Sequence, residues 1–285
     1  MSIYDNRISQ LQSAMATRGV DMVVLAPTNH MKYLSGWCES GHERLLAMFV
    51  PATGNPIFVV PSLNAEQCKT NPAGFTDVRG WNDSTGWHEV VRPILSGNKF
   101  CIDDELDSVH LMGFQSIAPN AKYDPATPLV SVLREIKSAD EIELMMATAA
   151  VTDTVFANSV SQLNAGMTEK EFEAIITAEY AKFGTRPQFS IIGFGPNGAL
   201  PHHHTGSRTL QSGDVIIIDI GCELAGYQSD ITRTVAFGEP SNEAKKVYSV
   251  VHGAFLAAMN FARPGVTCES VDKASRDVID AAGYG

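Results

Sequence analysis

Residues 213–221 read GDVIIIDIG, and residues 226–234 read GYQSDITRT. The first stretch is rich in isoleucine and predicts a β-strand with Asp219 near its end, and the second predicts another strand with Asp230 near its start. A tight hairpin centred between residues 224 and 225 joins the two strands in this prediction. That register places Asp219 and Asp230 directly opposite each other.

Two facing carboxylates on neighbouring strands have Cβ atoms only about 5 Å apart, and their negative charges repel each other. A shared proton, a neighbouring Lys or Arg, or a bound cation must compensate this repulsion. Carboxylate oxygens bind divalent ions, so the pair predicts a metal site with Asp219 and Asp230 as ligands. The alternative is that one aspartate caps a turn and points to water, with Arg233 as a surface partner.

A glycine-rich segment precedes these strands. Residues 193–198 read GFGPNG and fit the G-x-G-x-x-G fingerprint of dinucleotide-binding proteins. That fingerprint requires a helix to begin at its end, whereas Pro196 and Pro201 keep this segment in a loop. A nucleotide-binding role is therefore rejected.

Three consecutive histidines, His202, His203 and His204, follow in the same loop. Consecutive side chains on a loop rarely converge on one ion, so they do not predict a zinc site. His203 and His204 are assigned to the surface. His202 directly follows a proline and is the candidate catalytic residue, which hydrogen-bonds a substrate carbonyl or moves a proton.

The second half of the chain partly repeats itself. Residues 156–184 align without a gap on residues 255–283, and the matched pairs are Phe156 with Phe255, Gly166 with Gly265, Thr168 with Thr267 and Gly184 with Gly283. In each copy a long helix is predicted to lead to a threonine, after which a shorter helix ends at a glycine. The first copy is predicted to continue as a sheet to about Phe237. The alternative is that any two helix pairs share such capping residues.

The first half of the chain alternates helical and extended patterns. Helices are predicted at 4–18 and 81–95, and strands at 22–26, 45–50, 57–60 and 99–102. Residues 124–128 contain two prolines and small polar residues, which predicts a linker. The domain boundary is therefore placed within residues 124–137. Ser138 and Glu141 form a predicted capping box that opens the second domain.

Composition limits the classes of function. The chain has 285 residues, of which 44% are hydrophobic and 19% charged, and its formal net charge is −11. Without a block of Lys or Arg, this charge argues against nucleic acid or a membrane surface as a partner. Residues 1–20 lack the apolar core of a signal peptide and predict an amphipathic helix. Five scattered cysteines favour a reducing cytoplasm over a disulfide framework.

In combination, NGALPH at 197–202, the strand at 213–219 and SDITRT at 229–234 resemble the Xaa-Pro dipeptidase and aminopeptidase P family. This family belongs to the creatinase and methionine aminopeptidase superfamily of pita-bread folds. Residues 133–138, LREIKS, are similar to the family's entry into its catalytic domain. The resemblance implies an α/β (α+β) chain. A creatinase-like N-terminal domain, residues 1–130, precedes an incomplete pita-bread metallopeptidase domain, residues 137–285.

The resemblance also implies cofactors and a reaction. The family binds two divalent ions, commonly manganese, cobalt or zinc, through two aspartates, one histidine and two glutamates. Asp219 would bind one metal in a bidentate manner, Asp230 would bridge both, and His202 matches the loop histidine that contacts substrate. A metal-bridging hydroxide would attack the carbonyl before proline in a dipeptide or peptide. Dimers are common in the family, and Trp37 is a candidate contact for a homodimer.

The family's histidine ligand and both glutamates would follow Gly285. The expectation is that the 285-residue chain is an inactive fragment of an Xaa-Pro metallopeptidase. One alternative is an amidinohydrolase of the creatinase type, which works without metal; the aspartate pair counts against it. Another is a non-catalytic pita-bread protein that binds peptide.

Overall fold

The computed structural model describes residues 2–285, which divide into two compact units. The first unit ends at Ser138, and the second runs from Ala139 to Gly285. The predicted N-terminal helix is present as α1, Ile3–Arg18, and Met1 lies outside the described residues. Its first turn is closed by a capping box, because Ser2 and Asp5 each accept a hydrogen bond from the other's backbone amide.

A six-stranded mixed sheet forms the centre of the first unit. Its strands are β1 Met22–Leu25, β2 Ala47–Pro51, β3 Ile57–Pro61, β4 Val78–Trp81, β5 Lys99–Ile102 and β6 Lys122–Pro125, in the order β4-β3-β2-β1-β5-β6. The remaining α-helices of this unit are α2 Asn29–Ser35, α3 Ala65–Cys68, α4 His88–Val91, α5 Ser108–Ile117 and α6 Thr127–Glu135. The four predicted strands are confirmed.

Both faces of this sheet are covered. Along β1, Val23 and Leu25 join one hydrophobic cluster, whereas Met22 and Val24 join the other. Successive side chains of a strand point to opposite faces, so an uninterrupted apolar run is what a strand buried on both sides requires.

The predicted helix at 81–95 is wrong. Trp81 ends β4, where it pairs with Pro61 of β3, and its buried indole N–H donates to the carbonyl of Leu45 at 2.8 Å. Only His88–Val91 is α-helical in this segment. The positive φ of Gly86, 69°, lies in the turn that separates the strand from this short helix.

The predicted linker at 124–128 is also wrong. Residues Lys122–Pro125 form the edge strand β6, where proline is tolerated because no neighbouring strand needs its missing N–H. Helix α6 then begins at Thr127 with Pro128 in its first turn, a position that suits proline. The two prolines mark the end of a strand and the start of a helix.

Trp37, the candidate contact for a homodimer, is buried inside the first unit and does not lie on its surface. Its side chain is 8% exposed and packs edge-on against Phe58 with ring centroids 5.6 Å apart. It belongs to the core of the first unit.

His110 of α5 is buried beside Trp87, and neither of its ring nitrogens has a hydrogen-bond partner among residues 2–285. Burial lowers the pKa of His110 below its ordinary value of 6.5; Asp107 opposes this shift and His88 reinforces it. The folded chain therefore resists protonation of this ring more than the unfolded chain does.

We expect this histidine to make the first unit less stable in mild acid. As the pH falls through about 6.5, the unfolded state binds a proton that the folded state refuses, so stability is lost down to the lower folded pKa. In denaturant titrations at pH 7.5 and 5.5, His110→Leu should lose less stability between the two pH values than the parent. The exposed His42→Asn is the control and should keep the parental pH dependence. An unchanged pH dependence in His110→Leu would contradict the prediction.

The second unit places a helix pair against an antiparallel sheet. Its helices are α7 Ala139–Val160, α8 Glu169–Ala181, α9 Asn242–Phe261 and α10 Cys268–Ala281, and its strands are β7 Pro187–Phe194, β8 Val215–Leu224, β9 Tyr227–Gln228 and β10 Ile231–Ala236. The strand order is β10-β8-β7, and β9 pairs with the end of β8. Alternate residues of β8, Ile216, Ile218, Ile220 and Cys222, are buried in the core that α7 and α8 cover.

Both predicted helix pairs are present. Thr168 caps α8 through a capping box with Glu171, and Thr267 caps α10. Gly166 and Gly265 have φ values of 82° and 91°, and Gly184 and Gly283 have values of 71° and 81°, so both copies turn at equivalent glycines. Within residues 2–285, no helix has the length and apolarity that crossing a membrane requires.

Candidate active site

The hairpin between β8 and β10 has a different register from the predicted one. Ala225 and Gly226 form its turn with φ values of 51° and 88°, and Asp219 pairs with Thr232 rather than with Asp230. A two-residue turn of this type needs a positive φ at both central positions, which Gly226 supplies readily. The turn is therefore centred one residue later than expected, and the direct facing of the two aspartates is wrong.

The new register still leaves both carboxylates on one face of the sheet. Moving the turn by one residue shifts the pairing by two, and a shift of two preserves the face of every side chain. Ile231 pairs with Ile220 of β8, and extending this register by one residue brings Asp230 beside Gly221, two positions along β8 from Asp219. Diagonal neighbours of this kind lie about 7–8 Å apart, which is still within reach of a shared ion.

Among residues 2–285, no Lys or Arg side chain pairs with either of these two carboxylates. Asp219 is half-buried and accepts a hydrogen bond from the Thr232 hydroxyl at 2.8 Å, and Asp230 is exposed. Within residues 2–285, neither carboxylate lies within 4.0 Å of a Lys or Arg nitrogen, and Arg233 contacts Asp153 at 3.8 Å instead. Two carboxylates that share a face without a positive partner favour a bound cation.

The number of ligands is smaller than a complete metal centre needs. Across residues 2–285, no group of three or more His, Cys, Asp or Glu side chains is arranged to hold a metal ion. The carboxylate oxygens of Asp219 and Asp230 are suitable ligands for a divalent ion. The pair supplies only part of a coordination shell, since divalent ions take four to six or more ligands.

The residue before Asp230 is anchored in the core. Ser229 is 7% exposed, and its hydroxyl shares a hydrogen bond of 2.6 Å with Thr152 of α7 and accepts one from the Cys222 amide. The Tyr180 hydroxyl of α8 donates to Thr152, and burial raises the pKa of Tyr180 to about 12, so it remains a donor. This network fixes the backbone where the strand pairing is interrupted between β9 and β10.

The glycine-rich loop packs against the face that carries Asp219. The loop follows β7, whose Gly193 pairs with Ile217 of β8, and it begins with a 3₁₀ turn, Gly195–Ala199. A Cβ on Gly193 would lie 2.7 Å from the amide nitrogen of Gly198, and a Cβ on Gly198 would lie 2.9 Å from Ile217 Cγ1. These two glycines therefore permit a close approach of loop to sheet, which explains the motif without a nucleotide.

Glu169, which the sequence did not single out, organises this loop. Its side chain has no exposed surface, and its carboxylate accepts four hydrogen bonds. One oxygen accepts from the Phe194 amide at 2.9 Å and the Asn197 side chain at 2.8 Å; the other accepts from the His203 ring at 2.9 Å and the Gly206 amide at 2.8 Å.

The three histidines of the loop differ in their surroundings. The assignment of His203 to the surface is wrong, because its side chain is 12% exposed and bound to Glu169. His202 and His204 are exposed. His202 thus lies exposed on a loop that is held in place by the hydrogen bond between its neighbour His203 and Glu169.

The end of the loop is held by an ion pair. Arg208 donates two parallel hydrogen bonds to Asp214, at 2.7 and 2.8 Å, and this guanidinium lowers the pKa of the Asp214 carboxyl. The Asp214 carboxylate also accepts from the Gln211 amide at 2.9 Å. These contacts hold together the segment 208–214, which leads into β8.

Two family models match the chain in the order of its two units. The creatinase/prolidase N-terminal domain matches residues 7–136, and metallopeptidase family M24 matches residues 143–285. A probable dipeptidase PepE of Mycobacterium tuberculosis is 34% identical, over 99% of this chain and 76% of that protein. An Xaa-Pro dipeptidase of Lactobacillus helveticus is 29% identical, over 98% of this chain and 80% of that protein.

Solved structures agree with these matches. A prolidase from Thermococcus sibiricus superposes with a TM-score of 0.93 at 32% identity, covering 100% of this chain and 79% of that one. A dipeptidase PepE from Mycobacterium ulcerans superposes with a TM-score of 0.90 at 33% identity, covering 99% and 77%. The similarity thus extends along the whole of this chain.

Proposed function

Because the chain belongs to metallopeptidase family M24 and carries a creatinase/prolidase N-terminal domain, we propose that it functions in hydrolysis of the Xaa-Pro bond of dipeptides or peptide N-termini. The names of an Xaa-Pro dipeptidase and a prolidase among its relatives support this substrate class. The observation that carries the proposal is the pair Asp219 and Asp230, which lies on one sheet face without a positive partner among residues 2–285.

We propose that Asp219 and Asp230 bind divalent ions, with manganese, cobalt and zinc as the candidates. Two such ions supply Lewis-acid chemistry, which lowers the pKa of water in the site and stabilises negative charge on the oxygen of an attacked carbonyl. The Thr232 hydroxyl orients the Asp219 carboxylate, and the anchored Ser229 holds the backbone of Asp230.

His202 has the second role in this proposal. It lies on a loop that packs against Ile217, which is on the same face of β8 as Asp219. Its exposed imidazole is available to donate a hydrogen bond to the substrate carbonyl oxygen or to move a proton. The bond before proline is a tertiary amide without an N–H, so a site that cleaves it must recognise the carbonyl.

The test is a hydrolysis assay on the whole product of the gene. With Mn²⁺, Co²⁺ or Zn²⁺ added, Gly-Pro and Ala-Pro should be cleaved and the reversed dipeptide Pro-Gly should not. A chelator should abolish the activity, and adding the metal back should restore it. Cleavage that persists without metal would contradict the proposal.

We further propose that residues 2–285 do not suffice for hydrolysis. Two carboxylates without a third His, Cys, Asp or Glu beside them are too few to hold an active centre with two ions. The 285-residue polypeptide should therefore bind metal weakly in calorimetry and leave Gly-Pro intact. Measurable cleavage by this polypeptide would overturn this part of the proposal.

A further inference from the structure

The buried carboxylate of Glu169 is the most strongly connected polar group near the proposed site. It is the first residue of α8, and its four hydrogen-bond donors come from four positions of the following strand and loop, Phe194, Asn197, His203 and Gly206. Two of these donors are backbone amides and two are side chains. One acidic group thus ties together a segment of 13 residues, 194–206.

The electrostatics keep this group charged. Burial alone would raise the pKa of the Glu169 carboxyl, but the hydrogen bonds from His203, Phe194, Asn197 and Gly206 outweigh it, and the pKa lies below its ordinary value. The N-terminus of α8 adds a favourable dipole. A charged carboxylate that accepts four short hydrogen bonds is strongly stabilised, and losing one donor costs a large free energy because the buried charge is then less well satisfied.

The position of these donors matters for His202. Asn197 lies five residues before it and His203 directly after it, so Glu169 holds the loop on both sides of the exposed imidazole. The close contact of Gly198 with Ile217 presses the same loop onto the sheet. The backbone of His202 is thereby fixed while its side chain stays free.

We propose that Glu169 is a positioning residue that, through Asn197 and His203, holds His202 in place for substrate. This inference rests on the proposed function of His202. Glu169 itself is fully buried and does not touch substrate. Its effect on the reaction passes through the loop, so it depends on the presence of the His202 side chain.

The competing explanation is that Glu169 only stabilises the fold. A double-mutant cycle separates the two, because energies of residues that act as a unit are not additive. In the metal-loaded gene product, Glu169→Gln should lower kcat/KM for Gly-Pro by about 10–100-fold, the range for residues that orient active groups. In a His202→Ala background the same change should cost less than about 3-fold. Equal losses in both backgrounds would overturn the proposal.

A second measurement does not depend on activity. Hydrogen exchange of the amides in residues 195–206 should become at least about 10-fold faster in Glu169→Gln, because the substitution removes the charge that its four donors require. The matched control is Glu179→Gln, a nearly buried carboxylate of the same helix that bonds Asn158, Gln162 and Lys182 instead. This control should leave loop exchange and kcat/KM unchanged. Unchanged loop exchange in Glu169→Gln would refute the inference.

A milder variant covers the case in which Glu169→Gln does not fold. Asn197→Ala removes one donor from Glu169 and should show the same effects on exchange and kcat/KM at a smaller size. If His202→Ala alone leaves Gly-Pro hydrolysis unchanged, the proposed role of His202 fails and the positioning inference falls with it. If His202→Ala is impaired but Glu169→Gln is not, only the inference about Glu169 is lost.

Discussion

Replacement of Asp219 by asparagine is expected to lower kcat/KM of the metal-loaded gene product on Gly-Pro by at least about 100-fold. Loss of a residue that merely supports a metal ligand costs about 10–100-fold, and this change removes the charge of a proposed ligand itself. The asparagine side chain keeps an oxygen that can accept the hydrogen bond from the Thr232 hydroxyl, so the fold should be preserved. The stability of the metal-free protein should stay within about 0.5 kcal/mol or rise, because one of two unpaired charges is removed.

The control for this prediction is Asp153→Asn. Asp153 is an exposed carboxylate of the same unit that contacts Arg233 at 3.8 Å, and its neutralisation should leave both kcat/KM and metal affinity unchanged. Calorimetric titration with Mn²⁺ gives the second readout, in which Asp219→Asn should bind more weakly than Asp153→Asn. Equal metal affinity in the two variants would show that Asp219 is not a ligand.

Replacement of Phe172 by alanine is expected to lower the free energy of unfolding of the second unit by about 3–5 kcal/mol. Phe172 of α8 has no exposed surface and packs against Phe194 of β7, with ring centroids 6.2 Å apart. The substitution leaves a cavity between this helix and the sheet, which the backbone cannot close without breaking strand pairing. Urea titration followed by circular dichroism measures the change.

Phe183 provides the matched comparison for this substitution. It lies just beyond α8 and is 40% exposed, so Phe183→Ala should cost less than about 1 kcal/mol. Similar losses for both variants would mean that the core between α8 and β7 is not closely packed.

Local chemistry made much of the second unit predictable. The isoleucines around Asp219 specify a strand, and the threonine caps of α8 and α10 specify where helices begin. That Asp219 and Asp230 share one face of the sheet could also be predicted. Side chains alternate along a strand with a period of two, and moving the turn by one residue leaves each side chain on the same face. The residue that pairs with Asp219 could not be predicted, because it depends on which two residues of the turn adopt a positive φ.

Features that depend on distant contacts could not be read from the sequence. Trp81 lies at the end of a strand although its sequence neighbours favour a helix. Its backbone pairs with Pro61, and its indole N–H donates a hydrogen bond to the carbonyl of Leu45; both partners are at least 20 residues away in the chain. His203 looks like its two neighbours in the sequence, and only the fold brings Glu169 beneath it. Glutamate is common at the start of a helix, so nothing in the sequence around Glu169 indicates that its carboxylate is buried and accepts four hydrogen bonds.

The turn at Ala225-Gly226 also affects how quickly this part of the molecule assembles. Hairpins form in about 1–10 μs, and a two-residue connection orders the fewest residues before its strands meet. The pairing of β8 with β10, which brings Asp219 and Asp230 onto one face, therefore has a low sequence separation and forms earlier than the pairing of β7 with β8, which must first close residues 195–214. The mutual repulsion of the two carboxylates is thus present early in folding. We therefore expect divalent cations to accelerate refolding of the hairpin, because they would offset this repulsion.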